Sequence, residues 1–181
     1  MILVINIIHY TTLDLQSQLT KVQMQKTIYL YTFLWYNSRG ESRLIIMLNV
    51  VGTMFFKDRK LLIDKPRKRE TYQMIGGRVE DGETPLEAAI RECHEELGNE
   101  AIFDESKFEL VMDFDEIATS DPNLKIHFYV YKNNGELEGA LNISDEIEKF
   151  LWYDTSCGTE ILSNTLKNEV VPYCKKEDLI D

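Results

Sequence analysis

Cysteine is scarce in this chain: Cys93, Cys157 and Cys174 are odd in number, widely spaced and form no C-x2-C pair, so neither a disulfide framework nor a zinc site is indicated. Histidine is equally sparse, and His9, His94 and His127 lie far apart, which leaves no histidine-centred constellation. Positive charge is short as well, with 20 Lys and Arg against 31 Asp and Glu and a formal net charge of -11. That balance excludes holding a nucleic acid duplex by its phosphates, because backbone contacts require a basic surface. Long hydrophobic runs are missing too. The stretch Ile2 to Ile8 is too short to span a membrane, lacks a basic leader and is not followed by a small-residue cleavage site, so no membrane association is expected and a reducing cytoplasm is the expected compartment.

What remains is globular. At 181 residues, with 44% hydrophobic and 10% aromatic content, the chain can bury one substantial core. An acidic protein that acts on an anionic substrate needs a positive intermediary, and a divalent cation supplies one.

The informative segment is Gly77 to Asn99, GRVEDGETPLEAAIRECHEELGN. Thr84-Pro85-Leu86-Glu87 is a capping box with proline at the first helical position, and Gly98 offers a left-handed stop, so a helix is predicted from Pro85 to Leu97. At about 100° per residue, Leu86, Ala89, Ile90, Cys93 and Leu97 fall on one stripe, while Glu92, Glu95 and Glu96 fall on another. His94 points off the acidic stripe and reads as an exposed helix residue. Carboxylates at these spacings repel, each pair weakening a helix by a few tenths of a kcal/mol. Arg91 offsets part of that repulsion, and the remaining deficit of positive charge suits a hard, oxygen-seeking cation such as Mg2+ or Mn2+. Before the helix, Gly76-Gly77 lets backbone approach a ligand closely and offers a carbonyl as a further donor.

Gly77, Glu83, Arg91, Glu92, Glu95, Glu96 and Gly98 stand in the register G-x5-E-x7-R-E-U-x-E-E-x-G-U, U being aliphatic. The segment therefore resembles the signature of the Nudix hydrolases. Seven fixed letters in register should arise by chance on the order of once in a million chains of this length. The resemblance implies an α/β/α sandwich with a mixed sheet, in which Glu92, Glu95 and Glu96 bind metal with the Gly76 carbonyl, while Glu83 and Arg91 form an orienting pair. It also implies a glutamate outside the box, as ligand or general base, for which Glu146 in Ser144-Asp145-Glu146-Ile147 is the first candidate and Glu148 the second. The chain departs from the pattern at Ile75, where many members carry proline, at Cys93 and at Asn99. No ligand is lost, although the missing proline raises the question of how the metal loop is held, and Asn99 implies an exposed exit from the helix.

Along the chain, residues 1–46 differ from the rest: Lys21, Lys26, Arg39 and Arg43 face Asp14 and Glu41, a balance of +2 that leaves -13 for Met47 to Asp181. They are expected to be an appended extension, or the result of a start assigned too far upstream, with packing on the core or dimerisation as the alternative. The Nudix-like domain is expected over 47–181. Strands are predicted from Met47 to Phe56, Lys60 to about Lys65, Phe108 to Ala118, Leu124 to Lys132 and Phe150 to Tyr153, with turns at Lys57-Asp58-Arg59 and Thr119 to Asn123. A last helix between Thr159 and Lys176 should end or kink at Pro172. The basic run Lys65 to Arg69 reads as a solvated loop, close enough to the box in sequence to offer a phosphate contact.

The expected function is metal-dependent hydrolysis of a nucleoside diphosphate linked to another group. Resemblance favours a MutT-type pyrophosphatase acting on a nucleoside triphosphate, including an oxidised purine. ADP-ribose hydrolases often carry a proline about fifteen residues past the box and diadenosine polyphosphate hydrolases a tyrosine; Phe114 and Glu116 occupy that region here. ADP-ribose, sugar-nucleotide, dinucleoside polyphosphate and capped-RNA substrates stay open. A non-catalytic nucleotide-sensing module is the alternative of another class, and intact Glu83, Glu92, Glu95 and Glu96 speak against it.

Overall fold

A computed structural model describes residues 31–36, 42–117, 123–143 and 145–181, with side chains from residue 47 onward. The apolar run Ile2 to Ile8, the Gln-rich segment, the turn at Asn37 to Gly40, most of the 119–123 turn and Ser144 lie outside the described residues. Seven strands and two α-helices are formed among those described: β1 (Tyr31–Tyr36), β2 (Ser42–Met54), β3 (Phe56–Lys57), β4 (Lys60–Pro66), α1 (Pro85–Leu97), β5 (Phe108–Ile117), β6 (Leu124–Asn133), β7 (Ile147–Tyr153) and α2 (Val171–Lys176). One sheet has the order β1-β2-β6-β5 and the other β3-β4-β7.

The chain divides into two compact units, Met1–Leu48 with Asp115–His127, and Asn49–Phe114 with Phe128–Asp181. In the first, β1 pairs antiparallel with the start of β2, from Tyr31 opposite Met47 to Tyr36 opposite Ser42. The strand expected to open at Met47 therefore begins at Ser42, because pairing with β1 extends it backward.

The second unit carries the core. Strand alternation splits β4 cleanly: Leu61 and Ile63 join Met54, Val130, Tyr153, Leu166, Val170 and Cys174 in one apolar cluster, while Leu62 joins Phe55, Ile75, Cys93 and Leu97 in another. The first cluster lies under α2 and the second under α1, so helices cover opposite faces and the expected α/β/α sandwich is formed. Each fully buried Leu or Ile side chain contributes roughly 1.5–3 kcal/mol of hydrophobic transfer, an upper figure given compact unfolded states. β3, β4 and β7 pair antiparallel, with Leu62 opposite Trp152 and Asp64 opposite Phe150, whereas Tyr72 bridges Leu162 in parallel. The expected turn at Lys57-Asp58-Arg59 narrows to two residues: Asp58 and Arg59 both take positive φ between paired Lys57 and Lys60, the geometry that matches a hairpin's twist.

Two expectations at the chain's end are corrected. β7 starts at Ile147, three residues before Phe150. The helix does not end at Pro172: helical backbone runs from the π-helical turn Leu166–Val170 directly into α2, with Pro172 its second residue.

On the charge balance of +2 that sets residues 1–46 apart from the remainder, we propose that they are an extension to this core. A shortened chain beginning at Met47 should keep one cooperative thermal transition with a midpoint within about 5 °C of the full chain. Loss of that transition would place the first 46 residues in the core.

Candidate functional site

The helix that carries the acidic residues is set at both ends by its own sequence. Thr84 Oγ1 accepts from the Glu87 amide at 3.3 Å, the Glu87 carboxylate accepts from the Thr84 amide at 2.7 Å, and Pro85 occupies the first turn. At the other end Gly98 takes φ 86° and donates to the His94 carbonyl, after which Asn99 is exposed. α1 thus runs over the predicted span. Its buried residues are Ala88, Ala89, Cys93 and Leu97, whereas Leu86 is 37% exposed, so the apolar stripe is rotated from the predicted one. The cause is the neighbour across from it: Ala88 and Ala89 pack with Val51 and Tyr131, and small side chains allow that close approach.

A glycine loop lies along β2 beside this helix. Ile75 and Gly77 carbonyls accept from the amides of Thr53 and Val51 at 2.7 and 2.8 Å. Gly76 has φ 149°, and a Cβ there would fall 2.1 Å from the Val51 carbonyl oxygen; at Gly77 a Cβ would fall 2.3 Å from Glu92 Oε1. Gly76 needs glycine because its backbone is pressed against that of β2 at positive φ, whereas at Gly77 a side chain would displace the Glu92 carboxylate. Ile75, found where proline is frequent, is fully buried with Phe55, Leu62, Cys93 and Leu97, so burial anchors the loop.

Arg91 organises the acidic edge. Its Nε and one terminal nitrogen donate to both oxygens of Glu83 at 3.1 and 2.8 Å, and the same nitrogen donates to the Arg78 carbonyl at 2.9 Å. The other terminal nitrogen donates to Glu92 at 2.8 Å and to Glu95 at 3.3 Å. Hydrogen bonding from Arg91 holds the Glu83 carboxyl below its usual range, and Glu83 in turn raises the Arg91 guanidinium. Burial pushes Glu92 up in spite of Arg91. Glu96 reaches the other way, accepting from the Gly76 amide at 2.8 Å. Burial and then the charge of Asp64 push its pKa up to about 9, with Glu92 and Glu146 adding to the rise.

The sequence candidates are thus brought together in part. Glu83, Arg91, Glu92 and Glu95 form one bonded network, and Gly76 with Glu96 forms the adjoining contact. Glu146 is exposed, bears electrostatically on Glu96 and accepts from the Arg67 amide through its carbonyl at 2.9 Å, which ties the basic run to this segment. Glu148, the second candidate, is engaged elsewhere: its carboxylate accepts from Lys65 Nζ at 2.9 Å. That bond takes Lys65 out of the basic run as a free phosphate contact, while residues 67–69 are exposed. His94 is exposed, contacts Glu105 at 2.9 Å and lies against the Phe103 ring. Sequence reasoning missed Asp64, 1% exposed on β4 and raised by burial to about 7; its only signal was a lone acid ending the apolar run Leu61-Leu62-Ile63.

Among the described residues no three His, Cys, Asp or Glu groups converge into a closed metal cage. The donor chemistry nevertheless fits a hard cation. Glu83, Glu92 and Glu95 share the single guanidinium of Arg91, and Glu96, left without a cation, is destabilised as a charge by burial and by Asp64.

Comparison with known proteins identifies the family and the fold. The NUDIX domain family model matches residues 38–156. An RNA pyrophosphohydrolase of Francisella tularensis is 40% identical over 50 residues, covering 28% of this chain and 32% of that protein. A probable DHNTP pyrophosphohydrolase of Lactococcus lactis is 34% identical over 92 residues, covering 47% of this chain and 55% of that protein. The matches therefore span about a third and about half the length of these relatives. The crystal structure of a MutT protein from Methanosarcina mazei is similar with a TM-score of 0.59 at 16% identity, over 73% of this chain and 95% of that one, which shows the shared fold.

Removing the charge of Arg91 tests the network. Arg91→Gln should cost about 1–3 kcal/mol at neutral pH, between the values for exposed and fully buried ion pairs. Because the folded-state pKa of Glu83 is lowered, its share is present above the unfolded value of 4.5 and is lost as pH falls through the lower folded value. Denaturant unfolding should then show the gap between wild type and variant closing below about pH 4. A gap that stays constant to pH 3 would mean that the pair carries no stability.

Proposed function

This chain belongs to the NUDIX family, and on that premise we propose that it is a pyrophosphohydrolase, cleaving by water the phosphoric anhydride of a nucleoside diphosphate linked to another moiety with Mg2+ or Mn2+. The observation that carries this reading is the Arg91 network, which ties Glu83 in the preceding loop to Glu92 and Glu95 on α1 while Glu96 meets the Gly76 amide beside them. Two relatives named as pyrophosphohydrolases support it.

In this reading Glu92, Glu95, Glu96 and the Gly76 carbonyl hold the cation. When bound, the cation polarises phosphate oxygens and lowers the pKa of a water. The chain's own groups supply positioning. Glu83 and Arg91 fix the loop against the helix, Arg91 keeps Glu92 and Glu95 from splaying apart, and Glu146, exposed near Glu96, takes the proton from the attacking water. Little covalent work is left to the protein in such a displacement, so orientation and charge account for most of the rate.

For substrate we propose a nucleoside triphosphate, as in MutT-type enzymes, including an oxidised purine. Phe114 and Glu116 stand where ADP-ribose and dinucleoside hydrolases carry other marks. We propose the cytoplasm as the setting: the three cysteines are free, and among the described residues no helix is long and apolar enough to cross a membrane. A small nucleotide is the proposed partner, with neither duplex nucleic acid nor membrane, and a homodimer is compatible with this reading.

Two measurements decide the matter. Against a nucleotide panel with Mg2+, a triphosphate should be hydrolysed in preference to ADP-ribose; a kcat/KM for ADP-ribose about tenfold or more higher would overturn the substrate and leave the hydrolase reading standing. Glu96→Gln keeps size and an acceptor for the Gly76 amide, so kcat should fall by at least about a hundredfold while stability holds or rises. Near-normal turnover at saturating Mg2+, or simple unfolding, would remove Glu96 from the proposed metal site.

A further inference from the structure

Asp64 is 1% exposed, and among the described residues neither of its carboxylate oxygens has a hydrogen-bond partner. Buried acids are ordinarily paired, hydrogen-bonded or bound to metal, because desolvation otherwise outweighs any gain from burial. Its backbone leaves it nowhere else to go. The Asp64 amide donates to the Gln73 carbonyl at 3.1 Å, the Gln73 amide donates back at 2.8 Å, and β7 pairs on the other side with Phe150 opposite Asp64.

Strand alternation fixes where the carboxylate points. Leu62, two residues earlier and on the same face, packs with Ile75, Cys93 and Leu97. Asp64 therefore faces α1 one pleat farther along, on the side where Glu96, next to Leu97, meets the Gly76 amide. Among charges acting on Glu96, that of Asp64 is the foremost. An apolar residue would fill this strand position without penalty, as Leu61, Leu62 and Ile63 do beside it.

We propose that Asp64 is a further carboxylate of the divalent-cation site, lying beneath Glu96 on the floor formed by β4, so that a bound cation satisfies the oxygens that no donor among the described residues reaches. The assignment rests on the metal-dependent reading above and extends its ligand field beyond the box, to a strand that precedes it.

The test compares the full-length wild type, Asp64→Asn and Glu96→Gln in Mn2+ binding, read from the electron paramagnetic resonance signal of free Mn2+, and in metal-free thermal melting. Asp64→Asn should weaken Mn2+ binding by at least about tenfold, while its metal-free melting midpoint holds or rises because a buried charge is gone. If Asp64→Asn binds within about twofold of wild type while Glu96→Gln loses affinity, the proposal falls and the wider metal site stands. Wild type that fails to bind Mn2+ overturns both. Should Asp64→Asn not fold, the Asp64 side-chain carboxyl carbon in wild type is followed by NMR as Mg2+ is added. A shift that saturates together with that of Glu96 supports the proposal, and an unmoved resonance overturns it.

Discussion

Crowded negative charge is the constraint around which this molecule is arranged. Four glutamates gather along one edge of α1 and the preceding loop, and one guanidinium is shared among three of them. Left alone, such a cluster would fray the helix and push the loop away. Arg91 prevents this by bridging Glu83 in the loop to Glu92 and Glu95 in the helix, while its second contact with the Arg78 carbonyl pins the intervening backbone. The core beneath is built to hold that edge still. Small residues Ala88 and Ala89 bring α1 down onto Val51, and Ile75 carries the glycine loop into the same interior. Reactive geometry and packing are therefore one problem here.

The legibility of this arrangement in the sequence follows physical locality. α1 was readable to both ends because its stops are local chemistry: a capping box, an N-terminal proline and a C-terminal glycine. The acidic stripe was readable from helical period alone, and the family resemblance supplied roles for its members that periodicity does not. Which apolar residues of α1 are buried was less readable, since Leu86 and Ala88 differ by the identity of the neighbours that reach them, Val51 and Tyr131, and those come from distant strands. The start of β2 depends on pairing with β1, and the role of Pro172 depends on a π-helical turn that propensity does not announce.

Outside the box the sequence was a weaker guide for the same reason. Glu146 and Glu148 look alike as candidates in a short acidic segment, and only Lys65, more than eighty residues away in sequence, separates them by engaging Glu148. Asp64 had no motif to mark it. Its relation to α1 emerges from three strands pairing in register and from the alternation of one of them. Residues that act through nonlocal pairing are invisible to spacing rules, whatever their chemistry.

The alternation of β4 also bears on how the sheet assembles. Leu61, Leu62, Ile63 and Asp64 are sorted face by face, apolar toward α2, then Leu62 and the acid toward α1. A slip of one residue against β7 would turn the carboxylate into the greasy interior beside Met54 and Tyr153 and leave Ile63 among the glutamates. A pairing shifted by one residue is therefore penalised on solvation grounds. The same acid that is expensive in the core thereby sets the alignment of β4 apart from its one-residue neighbours.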